Sequence, residues 1–211
     1  MFVISLSGGS GSGKTSIVKV LTKLFFPAKV SWMPMDAYYK DHSHLTEQEK
    51  KEYNFDHPDA VDFDLMAKHV TILQSKENIH RPTYSFISCS RQVETILVEP
   101  ADILIIEGLF SFYDPRILKC SHLKVFVDVS DENRLERIIL RDQDERGRTR
   151  EVTVNRFFET VEPMHSIFVE PSKKNADIII DANHLKPEEI AAKIFSIVEI
   201  MHLNKVKKFE V

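Results

Sequence analysis

Short apolar runs alternate along this chain with segments whose apolar residues recur every three or four positions. The runs are four to six residues long, which is typical of strands buried on both faces of a parallel sheet, and the periodic segments are typical of amphipathic helices. This alternation predicts an α/β fold in which helices flank a parallel sheet. The predicted strands lie at 2–6, 30–35, 103–106, 124–129 and 177–180.

Helices are predicted between these runs and after the last of them. The first begins near Lys14 and closes before Pro27. A short, charged helix opens at Thr46, where Thr-Glu-Gln-Glu has the form of a capping box, and runs to about Tyr53. Further helices are predicted over 65–73, after Ser130 or Asp131, over 157–171 and over 187–206.

The pattern changes between residues 79 and 99. Two β-like runs, 83–87 and 94–98, occur there without a helix between them. They predict a hairpin attached to the sheet, as an insertion on the substrate side. No shift in composition marks a second domain, so residues 1–211 are interpreted as one domain.

Composition narrows the class of protein. The chain is 43% hydrophobic and 28% charged, as in ordinary soluble proteins, and its net charge of -4 gives no electrostatic reason to expect nucleic acid as a partner. Cys89 and Cys120 lack metal-ligand spacing and suggest a reducing compartment. No apolar run approaches the roughly 20 residues of a membrane span, and the first run is interpreted as a strand rather than a signal peptide. We therefore expect a cytoplasmic protein.

Glycine is concentrated directly after the first predicted strand. Four of the six glycines lie in residues 8–15, which fit the P-loop template of Gly, four residues and Gly-Lys-Ser/Thr. Glycines let backbone N–H groups converge on phosphate oxygens, and Lys14 adds a positive charge at a helix N-terminus that itself favours anions. The segment predicts a site for ATP or GTP. The nucleotide-binding residues are Gly8, Gly9, Ser10, Gly11, Ser12, Gly13, Lys14, Thr15 and Ser16.

Two carboxylates follow predicted strands on the same side of the sheet as the P-loop. Asp36 follows the second strand and Glu107 the third, and ligands of parallel sheets lie beyond the carboxyl ends of strands. Asp36 is a candidate general base, with turn capping as the alternative. Glu107 and Thr15 are candidate ligands of Mg²⁺, and the alternative for Glu107 is an ordinary loop carboxylate.

Residues 141–150 are dense in charges of both signs. Such a run is usually a solvated helix face. The alternative is a mobile lid in which Arg141, Arg146 and Arg148, beside the flexible Gly147, supply cations over a transferring phosphoryl group. His42 and His44 are close in sequence, but no further ligand stands at metal spacing, so no metal site is predicted there.

These segments together resemble the uridine kinase (uridine-cytidine kinase) family over nearly the whole chain. The P-loop is generic, whereas 54–60 and 141–148 are specific to that family. The resemblance implies ATP-dependent phosphorylation of the 5′-hydroxyl of uridine or cytidine, with Mg²⁺, by a homo-oligomer that is commonly a tetramer. The matching segments are 8–15, 36–41, 54–65, 84–91, 107–108, 141–148 and 171–180.

The resemblance also implies a role for each matching residue. Asp36 would accept the hydroxyl proton, Asp56 would hold the ribose hydroxyls, and three aromatic residues would frame the base. The residues with an implied catalytic role are Lys14, Asp36, Arg141 and Arg146. Those with an implied role in substrate binding are Asp36, Tyr39, Phe55, Asp56, Tyr84, Cys89 and Arg148.

Two positions depart from the family pattern. Cys89 stands where the family usually has a histidine that touches the base, and a thiol is a much weaker hydrogen-bonding group than imidazole. The choice between uridine and cytidine is therefore left open. Ile138 stands where the family commonly has an arginine. Arg137 is adjacent, but one residue is a turn of about 100° on a helix, so a ribose or phosphate contact is expected to be lost.

Two other functions stay open. One is a kinase for another small metabolite of the same superfamily, phosphoribulokinase-like or pantothenate kinase-like, against which the aromatic and acidic pair Phe55-Asp56 argues. The other is a nucleotide-binding regulator with little catalysis. A GTPase should carry Asn-Lys-X-Asp, and residues 204–207 read Asn-Lys-Val-Lys instead.

Overall fold

The computed structural model describes residues 1–207, apart from the side chains of Glu47, Lys51 and residues 202–207. Five strands form an all-parallel sheet in the order β2-β5-β1-β6-β7, and two form an antiparallel hairpin. The predicted fold class is confirmed. The strands are β1 (Phe2–Ser7), β2 (Val30–Pro34), β3 (Ile79–Ser85), β4 (Ser90–Val98), β5 (Ile103–Glu107), β6 (Leu123–Asp128) and β7 (Ile178–Asp181).

Helices connect the parallel strands and cover both faces of the sheet. The chain between α6 and β7 stays helical but changes type, with π-helical turns at Phe157–Val161 and His165–Val169 and a 3₁₀ turn at Glu170–Asn175. The sequence pattern indicated neither these turns nor α4. The α-helices are α1 (Lys14–Leu24), α2 (Glu47–Glu52), α3 (Phe63–Gln74), α4 (Pro115–Cys120), α5 (Asp131–Arg146), α6 (Arg150–Arg156), α7 (Glu162–Met164) and α8 (Pro187–Lys207).

The central strands read as continuous apolar runs because each sends alternate side chains into two different cores. On β1, Val3 packs into the core that includes α3, and Ile4 packs into the core that includes α1 and α8. Leu104 and Ile105 of β5 divide in the same way, and all four side chains are buried. Burial on both faces fixes the register between neighbouring strands. The turns that follow them are therefore held at one edge of the sheet.

The hairpin differs from its prediction. The expectation that it attaches to the main sheet was wrong, because β3 and β4 pair only with each other. Both strands are also longer than predicted, since Ile79 and Val98 pair at the buried base. Side-chain hydrogen bonds hold the hairpin in place: Arg91 donates from Nη2 to the carbonyl oxygen of Tyr39 (2.8 Å) and to Asp62 Oδ2 (3.3 Å).

Helix boundaries follow the capping residues. Thr46 and Glu49 form the predicted capping box of α2, and Ser130 is the N-cap of α5. Helix α5 continues to Arg146 and ends at Gly147, whose φ of 63° is left-handed. Residues 141–146 of the predicted lid therefore form the last turns of a helix. None of the described helices is long and apolar enough to cross a membrane.

Candidate active site

The carboxyl ends of β1, β2 and β5 open into one cavity of about 880 Å³. Leu6 and Pro34 both pair with Glu107 in the parallel register, so the three strands end level. The cavity is of the size that binds small ligands. The predicted site residues that line it are Ser10, Gly11, Ser12, Gly13, Lys14, Thr15, Ser16, Asp36, Tyr39, Phe55, Asp56, Tyr84, Cys89, Glu107, Arg141, Arg146 and Arg148.

Lys14 is folded back over its own loop. Its Nζ donates to the carbonyl oxygens of Gly8 (2.8 Å) and Gly9 (2.9 Å) and to Ser12 Oγ (3.2 Å). Gly8 and Gly9 were predicted to bind nucleotide, but they do not line the cavity and instead hold this side chain. Burial lowers the pKa of Lys14 to about 8, against the nearby carboxylates of Glu107 and Asp36. Burial thus disfavours the positive charge of Lys14, and the hydrogen bonds and nearby carboxylates oppose that effect.

The loop glycines also make room for a buried arginine. Arg134 of α5 has none of its surface exposed. A Cβ at Gly9 would lie 2.6 Å from Arg134 Nη1, and a Cβ at Gly11, where φ is +79°, would lie 2.6 Å from the Arg134 carbonyl oxygen. Two of the glycines are therefore required by the approach of α5. From the sequence, these glycines were predicted to serve phosphate binding alone.

Three arginines on one face of α5 reach the P-loop. Arg134 Nη1 donates to the carbonyl oxygen of Ser10, Arg137 Nη1 to that of Gly11, and Arg141 Nη1 to Ser10 Oγ, at 3.4–3.5 Å. Sequence reasoning found only Arg141. The spacing of the three, i, i+3 and i+7, is that of one helix face, and this signal was available in the sequence.

A cluster of oxygen atoms lies where β2 and β5 end. Thr15 Oγ1 donates to Glu107 Oε1 at 3.2 Å. Burial, and then the nearby carboxylate of Asp36, raises the pKa of Glu107 to about 7, although Lys14 acts in the opposite direction. Within residues 1–207 the Asp36 side chain has neither a hydrogen bond nor an ion pair, so it caps no turn there. Asp36 lines the cavity, with Lys14 and Glu107 as charged neighbours.

This cluster fits a divalent cation bound together with phosphate oxygens. The donors are a hydroxyl and a buried carboxylate whose pKa is raised by burial and by the neighbouring carboxylate of Asp36, and Mg²⁺ prefers such hard oxygen ligands. No group of three or more His, Cys, Asp or Glu side chains that could hold a metal occurs in the described part of the chain. A cation here would therefore need phosphate oxygens as ligands in addition to those of the protein.

Aromatic side chains form one wall of the cavity. The Tyr39 ring lies 5.0 Å from that of Tyr84 and 6.0 Å from that of Phe55, measured between centroids. Phe86 extends this wall and carries the guanidinium of Arg146, whose Cζ is 4.0 Å from the ring centroid. Phe86 had no predicted role. The wall can stack a planar ring, and it links the hairpin to the end of α5.

Asp56 has a partner that the sequence did not indicate. Arg156 Nη2, at the end of α6, donates to Asp56 Oδ2 at 2.8 Å. Both side chains line the cavity, and Asp56 is 10% exposed. Burial would lower the pKa of Arg156, but the charge and hydrogen bond of Asp56 raise it. Asp56 is thus held at the cavity by a charged hydrogen bond to one of its carboxylate oxygens.

A comparison with protein families decides between the interpretations of this geometry. The model described as "Phosphoribulokinase / Uridine kinase family" matches residues 3–186 of the chain. The chain belongs to this family. The resemblance found in the sequence is thereby confirmed, and the cavity is the candidate active site of a kinase.

Individual relatives agree with the family. A uridine kinase of Bacillus cereus (strain B4264) is 42% identical over 200 residues, which cover 93% of this chain and 94% of that protein. A uridine kinase of Bacillus mycoides (strain KBAB4) is 41% identical over the same shares. The solved structure of phosphoribulokinase from Rhodobacter spheroides covers 89% of this chain and 73% of its own, with a TM-score of 0.63 at 15% identity. That likeness shows the shared fold.

The two departures from the uridine kinase pattern lie at different places in this kinase. Cys89 lines the cavity at the tip of the hairpin, and its thiol donates to the carbonyl oxygen of Phe86 at 3.5 Å. Ile138 is buried with Phe157 and Val161 and does not line the cavity. Position 138 therefore contributes an apolar contact to the core, while Arg137, which was not expected to substitute, does line the cavity.

Proposed function

We propose that this kinase transfers the γ-phosphoryl group of a purine nucleoside triphosphate to the 5′-hydroxyl of uridine or cytidine. The observation that carries the proposal is the shared cavity: one cavity is lined by the P-loop with Lys14, by Asp36 and by the aromatic wall. The uridine kinase relatives support the choice of acceptor. Nothing in the cavity favours a second function over this one.

Each group has a task that its surroundings suit. Asp36 orients the 5′-hydroxyl and takes its proton, because it is a carboxylate with no competing protein donor. Lys14 and the loop N–H groups hold the β- and γ-phosphates.

Asp56, fixed by Arg156, accepts hydrogen bonds from the ribose hydroxyls, and Tyr39, Phe55 and Tyr84 pack against the base. Arg141 and Arg146 stabilise the charge on the transferring group, and Arg148 contacts the nucleoside.

The cofactor and the setting complete the proposal. Thr15 and Glu107 would hold Mg²⁺, which when bound neutralises charge on the β- and γ-phosphates. ATP or GTP would serve as the donor. We further propose, on the family resemblance alone, that the protein is a homo-oligomer, commonly a tetramer in that family. From the cysteine content and the absence of a long apolar run in the sequence, we propose that it acts in the cytoplasm.

A coupled assay of nucleoside diphosphate release tests the proposal. The purified chain is incubated with Mg²⁺, with ATP or GTP, and with one acceptor from the panel uridine, cytidine, ribulose 5-phosphate and pantothenate. We expect release that depends on uridine or cytidine and a product with the mass of the 5′-monophosphate. Release that depends only on another acceptor, or no release with any acceptor, would overturn the proposal.

A further inference from the structure

A buried carboxylate lies behind the arginines of the predicted lid. Asp142 is 2% exposed and does not line the cavity, whereas Arg141, Arg146 and Arg148 all do. No role for this aspartate was predicted from the sequence. Its surroundings differ from those of Asp144, which lies two residues further along α5, is exposed and forms no described ion pair.

All three arginines converge on this one carboxylate. Arg141 donates to Asp142 Oδ1 from Nε (3.0 Å) and Nη2 (2.8 Å). Arg148 Nη1 donates to Oδ2 at 2.9 Å, and Arg146 Nε lies 3.5 Å from Oδ1. Burial alone would raise the pKa of Asp142, but the charges of Arg141 and Arg146 lower it. The carboxylate is therefore ionised and fully engaged.

The backbone brings the last arginine back to the same point. Gly147 adopts a left-handed conformation after the end of α5. The next N–H, that of Arg148, then donates to the carbonyl oxygen of Asp142 at 3.0 Å. Side chain and main chain of Asp142 thus close the turn together. Arg148, six residues after Asp142, is thereby placed beside Arg141, which directly precedes Asp142.

Three guanidinium groups gathered at one wall repel each other, and each loses side-chain freedom when it is held there. An ionised carboxylate behind them offsets the repulsion and fixes their directions before a phosphate binds. Each arginine keeps free N–H groups, since a guanidinium has five. Arg141, for example, still directs Nη1 towards Ser10 of the P-loop.

We propose that Asp142 is a positioning residue for phosphoryl transfer, which holds the three lid arginines where the transferring group and the nucleoside need them. This inference rests on the proposed function. It differs from it in assigning the placement of the arginines to one carboxylate that touches neither substrate. A purely structural role for Asp142 would lower stability without depending on the arginines it contacts.

A double-mutant cycle separates these roles. Asp142→Asn keeps the shape of the side chain and removes its charge, and Asp144→Asn is the matched control on the same helix. We expect Asp142→Asn to lower kcat by roughly 10- to 100-fold, because small misplacements of catalytic groups carry such costs. In an Arg141→Ala background the fold-decrease in kcat caused by Asp142→Asn should be smaller by at least roughly threefold, since part of its effect acts through Arg141. Asp144→Asn should change kcat by less than about twofold.

The remaining outcomes are also decisive. An equal fold-decrease in kcat in the wild-type and Arg141→Ala backgrounds, or a normal kcat for Asp142→Asn, would overturn the inference while leaving the proposed function intact. If Asp142→Asn does not fold, Asp142→Glu, which keeps the charge but displaces it by one methylene group, is taken through the same cycle with the same criteria. A wild-type protein that phosphorylates no pyrimidine nucleoside would instead overturn the proposed function itself.

Discussion

Lys14 and Glu107 are ionisable groups of opposite sign that are both nearly excluded from water. Burial lowers the pKa of Lys14 to about 8 and raises that of Glu107 to about 7, so each is pushed towards its neutral form. Desolvation therefore makes the charged forms of both Lys14 and Glu107 costly. A bound phosphate beside Lys14, or a cation beside Glu107, would reduce that cost and favour the charged forms.

The protonation of Lys14 should control nucleotide affinity. Protonated Lys14 attracts phosphate and neutral Lys14 does not, so affinity is greatest below a pH of about 8 and falls as the pH rises above it. We expect the dissociation constant for ATP to rise by up to about tenfold per pH unit above that point. Equilibrium titrations between pH 7 and 9.5 measure this dependence.

Two variants make that titration specific. Lys14→Ala should bind ATP weakly at every pH, with a flat profile. Lys23→Ala removes an exposed lysine from the same helix and should leave the wild-type profile unchanged. A pH dependence that persists in Lys14→Ala would show that another group is responsible.

At the scale of elements, the acceptor side of the cavity is built by parts that are distant in sequence. The hairpin is held by Arg91, which binds the carbonyl oxygen of Tyr39, and Asp56 is held by Arg156 at the end of α6. Each contact joins two elements through a charged hydrogen bond, which is stronger than a neutral one. The orientation of the nucleoside therefore depends on α6 as well as on the loop that carries Asp56.

Removing the Arg156 side chain should loosen the acceptor site selectively. In Arg156→Gln the Asp56 carboxylate loses a charged partner at 2.8 Å. We expect the KM for the nucleoside to rise by roughly tenfold, with the KM for ATP unchanged. Arg150→Gln, which breaks an exposed pair with Glu136 at the other end of α6, is the control and should have little effect. Equal effects of the two changes would argue against this role.

The sequence predicted those parts of the site that depend on local pattern. The P-loop, Asp36 and Glu107 each follow directly from a buried strand and the turn after it. Arg156 was missed because its partner, Asp56, lies 100 residues away in sequence. Arg134 was missed although its spacing from Arg137 and Arg141 places the three on one helix face. The hairpin was placed correctly in the chain but not in the fold, since pairing between strands is a long-range property.

For the molecule as a whole, the strands and most helices were predictable because burial on both faces leaves a simple apolar pattern. A helix over 157–171 was predicted, but the π and 3₁₀ turns within this stretch were not, because they carry no distinct apolar period. A buried histidine lies in this stretch. The side chain of His165 is 12% exposed, and its Nδ1 has no hydrogen-bond partner in the described part of the chain.

His165 should make the stability of the fold depend on pH. Burial, followed by the charge of Arg134, lowers its pKa from 6.5 to about 4. The unfolded chain therefore binds a proton at a higher pH than the folded chain, and stability is lost as the pH falls through 6.5 towards 4. The difference between the pKa values of His165 in the unfolded and folded chain corresponds to about 3 kcal/mol in the free energy of unfolding. Denaturant unfolding at several pH values measures it.

The histidine variant should remove that component. In His165→Gln the loss of stability between pH 7 and pH 4.5 should be smaller than in the wild type, even if the variant is less stable at neutral pH. His184→Gln, at an exposed position, should leave the pH profile unchanged. Parallel profiles for the wild type and His165→Gln would contradict the assignment.

The central claim is that Asp36 accepts the proton of a nucleoside hydroxyl bound beside the P-loop, and the turnover of Asp36→Asn tests it most directly. With saturating ATP, Mg²⁺ and uridine or cytidine, we predict that kcat falls by roughly 10²- to 10⁴-fold while the dissociation constant for ATP stays within about twofold. Asp41→Asn, at an exposed carboxylate after the same strand, should retain normal turnover. Near-normal turnover of Asp36→Asn, or an equal loss in both variants, would contradict the account.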